Sequence, residues 1–211
     1  MSIRIKDLSL EFQNKELFCV SHEFAKQQIH LIKGASGCGK SSLLRLIAGL
    51  SPAHSGQIFI DNEPISDQRK HRLQCQYLFQ QAIIFPGTVR ENLLYPFEFN
   101  ELPPPTDLED QVNSIFPEKV SLDQDAKVLS VGQKQRLALL RALLLKPDYL
   151  LCDEVTSGLD ESSRKITEEL IIQFCNNGGT VLFITHVESS FENFDKRIGL
   201  EMSEGSIRKS L

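Results

Sequence analysis

The chain predicts an α/β fold, with a layered core interrupted by an inserted, mostly helical subdomain. Two observations carry that prediction. Short apolar strand candidates alternate with helical periods at both ends of the chain, and a proline-broken stretch of different texture separates them. In order, Ile3, Ile5, Leu8, Leu10 and Phe12 face one way, with Arg4, Lys6, Ser9 and Glu11 between or opposite, the period of half-buried strands. Residues 17–24 give a second such segment. Residues 28–33 form a compact strand candidate that runs straight into a glycine-rich turn. Beyond the turn, Leu43, Leu44, Ile47 and Leu50 recur at helical spacing over residues 41–50, with Pro52 just past the end. Further strands are expected at residues 57–61, 76–79, 149–152 and 181–185, and a short strand-like tail at 196–207.

Between residues 87 and 128 the texture changes. Pro96, then Pro103, Pro104 and Pro105, then Pro117 interrupt short helix-like pieces such as 108–116. Phe97, Phe99, Leu102, Ile115 and Phe116 still supply apolar anchors, so the segment reads as a packed subdomain and not as low-complexity disorder. The expected division is one domain, with residues 1–86 and 146–211 forming the α/β core and its β lobe, and residues 87–145 forming the helical subdomain.

Composition narrows the class. The 211 residues are 41% hydrophobic and 24% charged, with a net charge of −5, so no basic field points to nucleic acid as a partner. The five cysteines are scattered, without metal-site spacing, and read as reduced thiols in a cytoplasmic protein. The N-terminus has no apolar stretch of signal-peptide length. The most apolar run, residues 137–152, is interrupted by Arg141, Lys146, Pro147 and Asp148, short of the roughly 20 apolar residues a membrane helix needs.

Gly34-Ala35-Ser36-Gly37-Cys38-Gly39-Lys40-Ser41 fits G-x-x-x-x-G-K-[ST], between a strand and a helix. Glycines at 34, 37 and 39 let several backbone amides converge on phosphate oxygens, and the following helix offers its N-terminal dipole to the same anion. Lys40 can reach the β- and γ-phosphates, and the Ser41 hydroxyl can ligate Mg²⁺. Cys38 reads as a small filler. The motif is shared by several NTPase classes; the absence of an N-K-x-D segment argues against a GTPase.

Leu129-Ser130-Val131-Gly132-Gln133, followed by Lys134-Gln135-Arg136, resembles the signature of the ABC ATPases. Read by itself, Ser130 with Gln133 is a capping box that opens a helix carrying Leu137, Leu140 and Leu144. Downstream, an apolar strand ends in Asp153-Glu154, where α/β folds keep their ligands. Ser157-Gly158-Leu159-Asp160 resembles the family's D-loop, Thr185-His186 its switch histidine, and Tyr77-Leu78-Phe79-Gln80 with residues 85–92 its Q-loop region.

The resemblance implies a P-loop NTPase cassette: a RecA-like core, an antiparallel β lobe and an inserted helical signature subdomain. It implies ATP contacts from Phe12, which would stack on adenine, from the loop residues Gly34, Ala35, Ser36, Gly37, Cys38, Gly39, Lys40, Ser41 and Ser42, and from Ser130, Gly132, Gln133 and Asp160. Ser41, Gln80 and Asp153 would serve Mg²⁺. Glu154 would be the general base, with His186, Gln80 and Lys40 completing the catalytic set. Val131 departs from the signature's usual glycine.

The family works as a head-to-tail homodimer, in which each signature faces the nucleotide on the partner's loop. The function implied is ATP hydrolysis that powers a membrane transporter whose polytopic permease is a separate chain, with the ATPase peripheral on the inner face of the membrane. Iron export is a closer resemblance, carried by residues 91–97. A non-transport ABC ATPase, such as an iron–sulfur assembly or cell-division partner, is the alternative. No regulatory domain is expected after the tail.

Overall fold

Residues 2–12, 15–187, 190–203 and 206–209 are described by the computed structural model of the chain, with the side chains of Phe12 and Lys15 outside that set. The opening alternation becomes β1 (Ile3–Phe12), whose Ile3, Ile5 and Leu8 are buried while Arg4 and Lys6 face solvent. Its phase slips between Ile5 and Leu8 because Asp7 takes a positive φ of 47° and the pairing shifts register there. A bulge of this kind resets which side chains point inward. β1 pairs antiparallel with β2 (Lys15–Phe24) and with β4 (Ser55–Ile60), and β4 with β5 (Glu63–Pro64), giving a four-stranded sheet in the order β2-β1-β4-β5.

The second sheet has six strands in the order β10-β9-β3-β8-β7-β6. They are β3 (Ile29–Lys33), β6 (Cys75–Leu78), β7 (Tyr149–Asp153), β8 (Thr180–Ile184), β9 (Arg197–Ser203) and β10 (Ser206–Lys209). All pairings are parallel except the β9–β10 hairpin. β7 and β8 are buried along their whole length, which is why they read as unbroken apolar runs and not as alternating ones. Leu151, Leu182 and Ile184 face one layer of core; Leu150, Cys152, Val181 and Phe183 face the other.

Helix α1 (Lys40–Ile47) lies between the two sheets. Leu43, Leu44 and Ile47 pack with Ile3, Phe18 and Phe24 of the first and with Ile32, Leu151 and Ile184 of the second. Leu43 is fully buried there, and Leu43→Ala would cost about 2–5 kcal/mol. The opposite face of the six-stranded sheet is covered by α5 (Val131–Leu144) and α6 (Glu161–Asn176), through Leu139, Ala142, Ile171 and Cys175. α3 (Val89–Asn100) and α4 (Leu108–Ile115) form a separate apolar cluster with Leu137 and Leu140 of α5. α5 therefore belongs to two cores at once, and a movement of one is felt by the other.

Some local expectations change. The helix over 41–50 ends at Ile47, where the Gly49 amide bonds Leu46 O and the Leu50 amide bonds Arg45 O, a Schellman closure. α3 runs through Pro96 instead of breaking there. Proline removes a single backbone bond, and buried Val89, Leu93 and Phe97, with a Thr88–Glu91 capping box, hold the rest of the helix. Two helices lie where no helical period stands out: α6, and α2 (Gln68–Gln74), which buries only His71.

Candidate active site

The glycine-rich loop leaves β3 and enters α1 at Gly39, whose φ is 100°. A Cβ there would approach the Phe18 ring to 2.7 Å, so both backbone angle and packing demand glycine. No side chain caps the start of α1 and no acidic residue lies in its first turn. Among the described helices the others differ: α2, α3, α5 and α6 have side-chain caps, and α4 carries Glu109 and Asp110 in its first turn. α1 is thus the helix whose N-terminal amides and positive dipole end remain available to an anion. Lys40 is buried, its Nζ donating to Gly34 O and Ala35 O at 2.9 Å each. Its charge is held inside the loop.

Three strand ends meet at the carboxylates. Asp153, the last residue of β7, is buried and accepts from Ser41 Oγ at 2.8 Å through Oδ1 and from the Tyr77 hydroxyl at 2.6 Å through Oδ2. Burial, then the hydrogen bond to Asp153, pushes the Tyr77 phenol above the usual tyrosine range, so it stays a donor. Glu154 turns off the strand with φ 50° and its amide on Ile184 O of β8. A non-glycine residue in this region is uncommon. One Glu154 oxygen lies 3.2 Å from His186 Nε2 and the other 3.4 Å from Gln80 Nε2. His186 lies two residues beyond β8 and Gln80 two beyond β6, so neighbouring strands deliver all three.

Ser41 and Asp153 supply only hard oxygen donors, which fits Mg²⁺, an ion commonly held by one carboxylate together with phosphate oxygens. No group of three or more His, Cys, Asp or Glu able to hold a metal occurs among the described residues.

The segment carrying Gln80 is pinned to α5 and α3 by residues whose part the sequence does not announce. Gln135 Nε2 donates to Phe79 O at 3.2 Å, and Arg141 donates to Ile83 O at 2.7 Å while lying over the Phe85 ring. Buried Asn92 bonds both the amide and the carbonyl of Phe85. Burial lowers the Arg141 guanidinium to about 10. Tyr77 is the other omission. Only the register shows its part: pairing Tyr77 with Leu151 across parallel β6 and β7 puts it on the face that Asp153 shares.

The signature residues stand apart. Ser130 caps α5 by accepting from the Gln133 amide at 3.2 Å, and Gln133 Oε1 accepts from the Ser130 amide at 2.9 Å, so the expected capping box is present. Gly132 is tied to α6, since a Cβ on it would lie 2.5 Å from Ser163 Oγ. Asp160 caps α6 by accepting from the Ser163 amide. Among the described residues no hydrogen bond or ion pair joins Ser130, Gly132, Gln133 or Asp160 to Lys40, Ser41, Asp153 or Glu154. The Phe12 side chain lies outside the described residues.

On the other side of the Gln80 segment, Phe79, Phe85, Tyr95 and Phe99 border a groove of 570 Å³ that also includes Leu50 and Arg72. Phe85 stacks on Tyr95 at 4.4 Å, and Phe99 is 74% exposed. Phe97, two residues before Phe99, is instead buried and borders a different cavity with Leu102 and Leu144.

A P-type loop, a strand-end carboxylate pair and a capped signature helix on an α/β core define an ATP-binding cassette. The family described as ABC transporter matches residues 17–157. The Probable iron export ATP-binding protein FetA of Escherichia coli (strain K12) is 34% identical over 187 residues, 87% of this chain and 83% of that protein. The Spermidine/putrescine import ATP-binding protein PotA of Thermotoga maritima is 34% identical over 218 residues, 97% of this chain and 57% of that longer protein. A solved structure, the ATP binding subunit of an ABC transporter, superimposes with a TM-score of 0.86 at 22% identity, over 100% of this chain and 90% of that one. The chain belongs to the ABC transporter family, as an ATP-binding subunit and ATPase.

Proposed function

We propose that this chain hydrolyses ATP as a head-to-tail dimer and drives a separate, polytopic membrane subunit, to which it binds on the inner face of the membrane. The observation that carries the reading is the Glu154 carboxylate held between His186 and Gln80, beside the Ser41–Asp153 pair. No helix among the described residues is long and apolar enough to cross a membrane, so translocation falls to a partner.

In this reading the amides at the start of α1 bind the phosphates, and Lys40 Nζ exchanges its two carbonyl partners for phosphate oxygens. Phe12 stacks on the adenine. Ser41 and Asp153 hold Mg²⁺, which when bound neutralises charge on the phosphates. Glu154 accepts the proton of the attacking water at the oxygen nearer His186, and Gln80 fixes the other oxygen. His186 donates toward the γ-phosphate. Ser130, with the first amides of α5, meets the phosphate bound on the partner's loop.

Residues 87–145 act as the arm that carries this motion, through α5, to the aromatic groove, where an amphipathic helix of the membrane subunit docks. The cargo we read as exported iron, supported by the likeness to FetA along most of that protein. Light scattering of the Glu154→Gln protein tests the dimer: saturating Mg·ATP should double its mass, and a persistent monomer would overturn the proposal. Iron efflux into inverted vesicles tests the cargo.

A further inference from the structure

We propose that Tyr77 is a positioning residue for Asp153, one that leaves a single carboxylate oxygen facing the bound ion and so favours Mg²⁺ over larger cations. The inference rests on the reading that Asp153 faces the ion beside the phosphates. The two oxygens of Asp153 have different partners: Ser41 on Oδ1, from the first turn of α1, and Tyr77 on Oδ2, from the neighbouring strand. Ser41 is itself a ligand for the ion in this reading, so Oδ1 is the oxygen on the ion's side. Tyr77 holds Oδ2 and has no part in the metal shell. It is fixed by β6, whose residues 75–78 pair in parallel with residues 149–152 of β7, by an edge-on contact with Phe79 at 4.7 Å, and by packing against the core around α1.

The consequence is a constraint on denticity. Mg²⁺ keeps an octahedral shell and takes carboxylates through one oxygen or through water, whereas Ca²⁺ readily accepts both oxygens of one carboxylate. A two-oxygen clasp at Asp153 has to share Oδ2 with the Tyr77 hydroxyl, whose 2.6 Å bond already draws on that oxygen's charge and fixes its direction. A phenylalanine at 77 would fill the same space and impose no such restriction.

The experiment follows binding of a fluorescent ATP analogue as Mg²⁺ or Ca²⁺ is added to the wild-type, Tyr77→Phe and Asp153→Asn proteins. Tyr77→Phe should raise the Mg²⁺ concentration at half-saturation about threefold to tenfold, the range expected for one lost hydrogen bond. Its Ca²⁺ half-saturation should stay or fall, so that the preference for Mg²⁺ narrows, while affinity without metal is unchanged. An unchanged Mg²⁺/Ca²⁺ ratio in Tyr77→Phe, or an equal weakening for both ions, overturns the proposal, provided Asp153→Asn shifts the titrations. An Asp153→Asn protein that titrates like wild type instead overturns the underlying reading of Asp153. If Tyr77→Phe does not melt cooperatively, Tyr77→Met takes its place. The wild-type protein gives a further measurement, and equal half-saturation by Ca²⁺ and Mg²⁺ there overturns the proposal.

Discussion

Glu154 Oε1 lies 3.2 Å from His186 Nε2, joining the end of β7 to the loop that follows β8. The pair makes hydrolysis and binding separable. Glu154→Gln keeps the shape and a hydrogen-bonding group but removes the proton acceptor, so turnover should fall about 100-fold or more while ATP affinity holds. His186→Ala should reduce turnover too, since the carboxylate loses one of its two fixed partners. Gln80→Ala should do less, its contact being the longer one at 3.4 Å. Steady-state phosphate release together with calorimetric binding checks all three, and a Glu154→Gln protein with wild-type turnover would refute the assignment of the base.

Gly132 is required by packing as well as by any phosphate. The Cβ of an alanine would sit 2.5 Å from Ser163 Oγ and 2.9 Å from Ser163 Cβ, so rotating the hydroxyl away does not relieve the clash. Gly132→Ala should therefore destabilise by about 1–3 kcal/mol despite alanine's better helix propensity. Adding Ser163→Gly should restore most of the loss, and Ser163→Ala should not. Val131 is 69% exposed, so Val131→Gly should leave packing undisturbed. Thermal melts of the set decide.

The site's chemistry was legible because it is written in local strings. Gly34 to Ser41, Asp153-Glu154 and Ser130 to Gln133 each carry their meaning within a few residues, and the strand-to-loop-to-helix context fixes their geometry. The positioning shell was not legible, because Tyr77, Asn92, Gln135 and Arg141 act through contacts with residues distant in sequence or with bare carbonyls. In the fold, β7 and β8 declare themselves as apolar runs. α6 hides because only Thr167, Ile171 and Cys175 of its sixteen residues are buried, although Asp160 ahead of it is a readable N-cap. Pro96 misleads in the other direction, since a well-anchored helix absorbs one missing bond.

His71 should make the chain sensitive to acid. It is buried on α2, its Nε2 lies 2.6 Å from Ile47 O at the end of α1, and its Nδ1 has no partner. Burial lowers its affinity for a proton, outweighing the Ile47 carbonyl, and burial lowers that of His30 likewise. Below the ordinary histidine value of about 6.5 the unfolded chain therefore binds more protons than the folded one. Stability should be greatest above that pH and decline as pH falls through it, levelling only below the depressed folded values. Melting temperatures from pH 7.5 down to 5 check the slope, and His71→Asn should flatten it. A slope unchanged by that substitution would assign the effect elsewhere.

Phe97 and Phe99 lie two residues apart on α3 and should respond oppositely to the same substitution. Phe97 is 7% exposed, so Phe97→Glu forces a carboxylate among apolar side chains and should destabilise the chain severely. Phe99, at 74% exposure, ends the row formed with Phe85 and Tyr95, and Phe99→Glu should alter stability by no more than about 0.5 kcal/mol. What Phe99→Glu should remove is docking, because an exposed aromatic row beside an apolar groove is the kind of surface that takes an amphipathic helix. Tyr95→Glu, on the same row, should act alike. The isolated Phe99→Glu chain should therefore hydrolyse ATP at the wild-type rate and melt at the wild-type temperature, yet fail to copurify with a membrane subunit from detergent-solubilised membranes. Copurification undiminished in the Tyr95→Glu, Phe99→Glu double variant would exclude the groove as the docking site and move the search to the surface around Pro103, Pro104 and Pro105, which borders a second cavity with Leu102 and Leu144.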